Sequence, residues 1–393
     1  MKRFLTLDDV DVTDSTVLVR SDLNVPLDNG TVTDDFRIRM ALGTITRLRD
    51  AGARVVVCSH LGRPKGVDPS LSLAPVAERM SELAGYPVTH IPATVGEVAT
   101  AGVNNAKAGD VVLLENTRFE PGETKNDDTL ADEFAGLCDI FVQDAFGSVH
   151  RAHASTEGVA RRVRSVAGPL LVSEVESLGR FLGDPERPYV VILGGAKISD
   201  KLGVVKALLP RTDAMLIGGG MCFTFMKANG MPIGASLVEE DMVEAVGDIL
   251  TGPDGNKIRL PSDIVIADRF AEDANYRTIS AGDIPDDWLG LDIGPNTASE
   301  FGEIIAGARS VFWNGPMGVF EWDNFRAGTE AVANAVARCG GFTAVGGGDS
   351  AAALRVLGLE DEVSHLSTGG GAGLELLEGA ELPGIEVLKR WVN

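Results

Sequence analysis

The chain is poor in cysteine and in positive charge. Its four cysteines, Cys58, Cys138, Cys222 and Cys339, lie far apart in 393 residues and form no C-x-x-C pair. That spacing suits neither a zinc ribbon nor a disulfide framework, and it fits reduced, buried thiols in a reducing cytoplasm. Lysine and arginine number 35 against 57 aspartates and glutamates, a formal net charge of −22. Nucleic acid and anionic membrane surfaces repel such a chain at long range, which excludes both as nonspecific partners. An anion site must then be a local cluster of bases, and the position of each arginine becomes informative. Long hydrophobic runs are missing too. The most apolar stretch, residues 214–226, is broken by three glycines and is too short to span a bilayer. The first dozen residues mix charged and apolar side chains, unlike a secretory signal, so a soluble protein is expected. Gly-x4-Gly-Lys-Ser/Thr is absent, as is a Gly-x-Gly-x-x-Gly opening a helix, which removes P-loop NTPases and standard dinucleotide folds. With no internal repeat or low-complexity tract, the chain is neither a solenoid nor a disordered scaffold.

What is present is an ordinary globular composition, 44% hydrophobic and 23% charged, at a length that calls for two domains with separate cores. Short β-branched runs alternate with longer amphipathic segments, the pattern of parallel strands joined by helical crossovers. After Ser72, a candidate N-cap, Val76, Met80, Leu83 and Ala84 recur at helical spacing until Gly85 and Pro87 stop the run. In the first half the candidate strands are 17–19, 55–58, 111–114 and 139–142. They run into Arg20-Ser-Asp-Leu-Asn24, Ser59-His-Leu-Gly-Arg63, Glu115-Asn-Thr-Arg118 and Asp144-Ala-Phe-Gly-Ser-Val-His150-Arg151. Ligands of open parallel sheets bind just outside the carboxyl ends of the strands, so arginines remote in sequence are expected around one site.

The second half repeats the arrangement with glycine in place of arginine. Candidate parallel strands 189–193, 214–217, 264–267, 311–313, 342–345 and 365–366 lead mostly into glycine-rich loops. These include Gly194-Gly-Ala-Lys-Ile-Ser-Asp-Lys201, Gly218-Gly-Gly-Met221, Asn314-Gly-Pro-Met-Gly-Val-Phe-Glu321, Gly346-Gly-Gly-Asp-Ser350 and Thr368-Gly-Gly-Gly-Ala372. Glycine permits close backbone approach, and amides at a helix start attract phosphate, so this half reads as a nucleotide lobe. Between the halves, residues 172–182 read as a connecting helix with Val175, Leu178 and Leu182 on one face, followed by Gly183 and Pro185.

Individual residues carry competing readings. Lys197 and Lys201, four apart, would share one face of a helix beginning near Ala196 and favour phosphate, against two solvated surface lysines. Asp349 is a candidate Mg2+ ligand, since that ion keeps waters and phosphate oxygens and needs only one or two carboxylates. Its plain alternative is an N-cap for a helix starting near Ala351, a role Ser350 could also fill. Glu321 could accept from ribose hydroxyls or simply be solvated. His150 and His153 flank no third metal ligand, so Arg151 with a neighbouring imidazole suits a phosphate or carboxylate, with His153 otherwise a structural histidine. Arg37, in Asp34-Asp-Phe-Arg-Ile-Arg39, is open between pairing with the adjacent acids and a functional role.

Taken in order from about Arg20 to Glu378, Arg20-Ser-Asp-Leu-Asn-Val-Pro26, Ser59-His-Leu-Gly-Arg-Pro-Lys-Gly66, Leu114-Glu-Asn-Thr-Arg-Phe119, Asp144-Ala-Phe-Gly-Ser-Val-His-Arg-Ala-His153, the loops at 194–201 and 314–321, and Ser367-Thr-Gly-Gly-Gly-Ala372 closely resemble the phosphoglycerate kinase family. The resemblance implies an α/β fold of two doubly wound, Rossmann-like parallel-sheet domains joined by a hinge helix. The expected division is residues 1–171 with the tail 380–393 as the 3-phosphoglycerate domain, 172–185 as the hinge, and 186–379 as the nucleotide domain. It also implies a cytoplasmic, monomeric, hinge-bending enzyme that transfers the acyl phosphate of 1,3-bisphosphoglycerate to MgADP, giving 3-phosphoglycerate and ATP. On this resemblance, the 3-phosphoglycerate site comprises Asp22, Asn24, Arg37, His60, Arg63, Arg118 and Arg151. The nucleotide site comprises Lys201, Gly218, Gly219, Gly220, Gly290, Glu321, Gly347, Gly348, Asp349 and Ser350, with Asp349 on the metal. Lys197 and Arg37 correspond to groups that stabilise the transferring phosphoryl, helped by Gly369, Gly370 and Gly371. The resemblance decides the Arg37 question in favour of function. Ser350 stands where threonine is common and Gly373 where serine is frequent, neither change altering a charge.

Overall fold

The computed structural model describes residues 4–392 and divides into two compact units, one comprising the chain up to Glu176 with the segment from Glu381, the other Ser177–Ala380. The first is built on short, apolar runs, almost wholly buried in the inner strands as expected of parallel strands covered on both faces and less so at the edge strand Val88–Ile91. These are β1 (Thr16–Arg20), β4 (Arg54–Cys58), β5 (Val88–Ile91), β6 (Val111–Leu114), β7 (Ile140–Gln143) and β8 (Arg164–Ala167), with a small hairpin, β2 (Leu27–Asp28) and β3 (Thr31–Val32), outside the main sheet. The six strands are all parallel, in the order β5-β6-β4-β1-β7-β8. Connections leave β1 toward β4 and β7 toward β8, in opposite directions, so the crevice where ligands bind in such sheets lies beyond the ends of β1 and β7. Val17, Val19, Val55 and Val57 pack with Ile38, Ile45 and Leu48 of the helix Phe36–Asp50 and with Val76 and Met80 of the helix Ala74–Ala84. Each such fully buried side chain contributes about 1.5–3 kcal/mol.

The second unit has a parallel sheet made of β9 (Tyr189–Leu193), β10 (Ala214–Ile217), β11 (Ile258–Arg259), β15 (Ser310–Asn314), β16 (Phe342–Gly346) and β17 (His365–Leu366), in the order β11-β10-β9-β15-β16-β17. The chain again leaves its two central strands, β9 and β15, in opposite directions. One expectation fails here. Residues 264–267 do not join this sheet: β12 (Asp263–Ala267) is the middle strand of a separate antiparallel sheet between β13 (Tyr276–Ser280) and β14 (Leu289–Ile293). An apolar run does not reveal its partners. Here no helical crossover follows β12, and the chain turns back as the largely exposed β13.

Helix boundaries also differ from expectation. The helix after Ser72 begins at Ala74, and Ser72 Oγ accepts from the Ala74 N–H at 3.2 Å while donating to Glu115. The connecting helix is Pro169–Leu182, begins three residues before the expected 172, and contains the boundary between the units. The tail returns to the first unit: Gly384 N–H donates to Val149 O at 2.8 Å, Trp391 Nε1–H to Ala160 O at 2.9 Å, and Ile385, Val387 and Leu388 are buried. Among the described residues no helix is long and apolar enough to cross a membrane.

Candidate functional site

In the first unit the loops after the strands are tied to one another by side chains. Asn116 accepts from the Leu61 N–H at 3.1 Å and donates to the carbonyls of Leu61 at 2.8 Å and Leu71 at 2.9 Å. Asn24 Oδ1 accepts from the Gly62 N–H at 2.8 Å, which joins the loop after β1 to the loop after β4. Arg37 reaches this junction, donating to Asp22 Oδ1 at 3.0 Å and to Asn24 O at 3.1 Å. Its neighbour Asp35 is engaged by Arg39 and Arg79, so Arg37 is directed at the strand-end loop and not at the acids beside it.

A cavity of about 620 Å³ in this unit is lined in part by Arg63, Lys65, Arg118, Arg151 and His153, with Glu120 the one acidic residue in its wall. Three of the expected arginines thus converge on one space, whereas Asp22, Asn24, Arg37 and the buried His60 are not part of its lining. Burial and then the charges of Arg20, Arg118 and Arg37 depress the His60 pKa well below an ordinary imidazole value. Burial and then Arg20, Arg118 and Arg151 bring His153 down to about 4. Arg118 is itself lowered, by burial and then by Arg20, and its buried Nε has no hydrogen-bond partner. Cations crowded together with an orphaned guanidinium N–H make a site prepared for an anion. Lys65 was not singled out from the sequence, and neither Arg20, read only as a strand-end arginine, nor His153, left open between an anion partner and a structural histidine, entered the expected substrate site. Arg20 had a usable signal, a base at a strand's carboxyl end.

The second unit holds a cavity of about 280 Å³ at the carboxyl ends of β9 and β10, lined in part by Gly219, Gly220, Gly290, Glu321 and Asp349. Gly219 has φ +62°, and a Cβ there would stand 2.5 Å from Gly195 N, so only glycine lets these two loops meet. The rest of the lining is mostly apolar, including Phe223, Phe270, Leu289, Leu291 and Met317. Sequence reasoning missed this wall because its residues come from separate elements and resemble ordinary core. The walls suit a flat, apolar ring, and the glycine amides suit phosphates.

Other expected residues take different places. Residues 194–201 are loop and turn, not a helix: the helix is Leu202–Leu208 and Lys201 is its N-cap, so the expected shared helical face of Lys197 and Lys201 does not exist. Gly195, at φ +91°, donates to Pro316 O and accepts from Met221 N–H, which holds the segment as a loop. Lys197 is exposed, and Lys201 is partly buried with its pKa lowered by burial against the charges of Asp200 and Asp349. The helix expected near Ala351 is Gly348–Val356, capped by Gly347. Asp349 therefore lies in its first turn, and neither Asp349 nor Ser350 is the N-cap. Ser350 is buried, its Oγ accepting from the Gly315 N–H at 2.7 Å. Gly218 and Gly348 are next to the lining residues Gly219 and Asp349 in sequence, and Gly347 is one position further off, but none of the three is part of the lining. Gly370, at φ +50°, precedes the short helix Gly371–Leu377, and Gly369 N–H donates to Ser367 Oγ at 3.1 Å.

Comparison with known proteins adds to this geometry. The family model described as phosphoglycerate kinase matches residues 7–380. The chain belongs to the phosphoglycerate kinase family. The phosphoglycerate kinase of Salinispora arenicola is 56% identical over 395 residues, covering 98% of this chain and 99% of that protein. That of Parafrankia sp. is 54% identical over 397 residues, with 98% and 99% covered. The solved phosphoglycerate kinase structure from Coxiella burnetii superposes with a TM-score of 0.88 at 40% identity, covering all of both chains. As a phosphoglycerate kinase, the chain is a phosphotransferase of glycolysis that interconverts 1,3-bisphosphoglycerate and ADP with 3-phosphoglycerate and ATP.

Phosphoglycerate kinases use their nucleotide with Mg2+. Among the described residues no group of three or more metal-ligating side chains is gathered. A nucleotide-bound Mg2+ does not need one: a single carboxylate beside phosphate-binding amides suffices. Asp349, exposed at the edge of the glycine-lined cavity, fits that donor set.

Proposed function

We propose that 3-phosphoglycerate is held by Asp22, Asn24, Arg37, His60, Arg63, Arg118 and Arg151, and that the adenine nucleotide is held by Lys201, Gly218, Gly219, Gly220, Gly290, Glu321, Gly347, Gly348, Asp349 and Ser350. The observation that carries this reading is the convergence of Arg63, Arg118 and Arg151 on one cavity in a chain of net charge −22. The acceptor in the direction of ATP consumption is a carboxylate, ionised near neutral pH, so no general base is required. A carboxylate oxygen forms the new bond to the γ-phosphorus, the bond to the ADP oxygen breaks, and ADP leaves with the electron pair. Catalysis then reduces to alignment and charge neutralisation. Arg37 and Lys197 neutralise the transferring phosphoryl, assisted by the amides at Gly369, Gly370 and Gly371. Mg2+ on Asp349 supplies charge neutralisation at the nucleotide phosphates.

The test is a coupled assay of ATP consumption dependent on 3-phosphoglycerate. Arg37→Ala and Lys197→Ala each lose about 100-fold or more in kcat, the scale of removing one transition-state donor. Unchanged rates in both variants would sink the mechanism. The reading extends to a cytoplasmic location, which the four unpaired cysteines support, and to a monomer, which rests on the family resemblance alone. It also extends to hinge bending through Pro169–Leu182, because reactants bound on separate units must meet away from water. Small-angle scattering with both substrates bound shows compaction if that is right and an unchanged radius if it is wrong.

A further inference from the structure

Under the basic cavity lies a carboxylate that phosphoryl transfer does not use. Glu123 is fully buried, and both its oxygens accept from one residue: Ser155 N–H at 3.0 Å and Ser155 Oγ–H at 2.6 Å. A hydroxyl has one proton. With that proton given to Glu123, Ser155 Oγ can only accept, and it accepts from Arg20 Nε–H at 2.9 Å. Arg20 is 1% exposed, so its charge is buried, and Glu123 supplies the opposite charge through a single intervening hydroxyl.

The other edge of the Arg20 guanidinium donates to Ser21 O, to Ser148 Oγ at 3.4 Å and to His60 Nδ1 at 3.1 Å. A guanidinium has donors and no acceptor, so in this contact His60 Nδ1 is the acceptor and carries no proton. The proton of the neutral ring is then on Nε2. Which nitrogen bears it matters, because an anionic ligand needs a donor and the other tautomer would offer it a lone pair. We propose that Glu123, Ser155 and Arg20 form a positioning relay that locks His60 as the Nε2–H tautomer, a fixed donor for the anionic substrate. The functional half rests on placing His60 in the 3-phosphoglycerate site. Arg20 and Glu123 act through His60 and are positioning residues.

The experiment is NMR of isotope-labelled imidazole nitrogens in the full chain near neutral pH, with the His60 signals identified by their loss in His60→Gln. The expected wild-type spectrum shows a proton-free Nδ1 and a protonated Nε2. Arg20→Met is expected to populate the other tautomer and raise the KM for 3-phosphoglycerate about tenfold with kcat little changed, and Arg20→Lys, which keeps a donor, to restore both. A wild-type Nδ1–H ring or an imidazolium overturns the relay, whether or not any variant folds. So does a folded Arg20→Met with an unaltered tautomer. A correct tautomer whose Nε2 signal ignores saturating 3-phosphoglycerate instead overturns the placing of His60 in the substrate site.

Discussion

Replacing Gly290 with alanine tests whether the cavity in the second unit is the nucleotide site. Gly290 lies in β14, and a Cβ there would stand 2.1 Å from Phe223 Cζ, 2.7 Å from Phe223 Cε1 and 2.9 Å from Ile264 Cγ2. Carbon atoms rest about 3.5–4.0 Å apart, so the Phe223 ring has to retreat by more than about 1 Å. Phe223 is 3% exposed and lies in the helix Cys222–Ala228, so on most sides it has nowhere to go. Overpacking of this kind costs about 1–3 kcal/mol. Gly290, Phe223 and Ile264 all line the cavity, so one open direction is into the space assigned to the base. A ring displaced there competes with nucleotide, and the same energy appears as a KM for ATP raised about 5- to 150-fold. Steady-state kinetics with ATP varied at saturating 3-phosphoglycerate measure this, and the KM for 3-phosphoglycerate serves as the control. A variant with unchanged KM for ATP and unchanged thermal stability would refute the reasoning.

Glu115 supports a pH prediction. Burial raises its pKa, but the His90 imidazole 3.4 Å away and hydrogen bonds from the Leu73 and Asn116 N–H groups and Ser72 outweigh that and bring it down to about 2. The folded value lies below the unfolded one, so the stabilisation is present above about pH 4.5 and is lost as pH falls toward 2. Glu115→Gln should cost about 1–2 kcal/mol near neutrality, after discounting for partial exposure, and nothing below the folded pKa. Urea midpoints across that range check it, and a pH-independent difference would contradict it. Chelation of Mg2+ should abolish transfer, and Asp349→Asn should raise the Mg2+ concentration for half-maximal rate about tenfold or more. An unaltered Mg2+ dependence in that variant would remove Asp349 from the metal site.

Much of this was legible in the chain itself. Val17, Val55, Val111 and Ile140 announce buried parallel strands because strands covered on both faces need side chains apolar on both. The polar groups that follow each strand mark its functional end. Arginine after the strands of one half and glycine after those of the other is the signal on which the proposed division into a substrate unit and a nucleotide unit rests. The ordered motifs gave the family. Tertiary structure decided what depends on partners. Whether 264–267 pairs in parallel or antiparallel is set by which strands come beside it, and its own residues do not say. Lys201 caps a helix instead of riding on one because Gly195 is held at positive φ by Pro316 and Met221, residues distant in sequence. The apolar wall of Phe223, Phe270 and Leu291 exists only once separate elements assemble. Glu123 looks like a surface glutamate in its charged loop, yet it is fully buried beside Ser155. Hydrogen bonds of that kind depend on angles and a few tenths of an ångström between residues far apart in the chain, and only the folded backbone sets them.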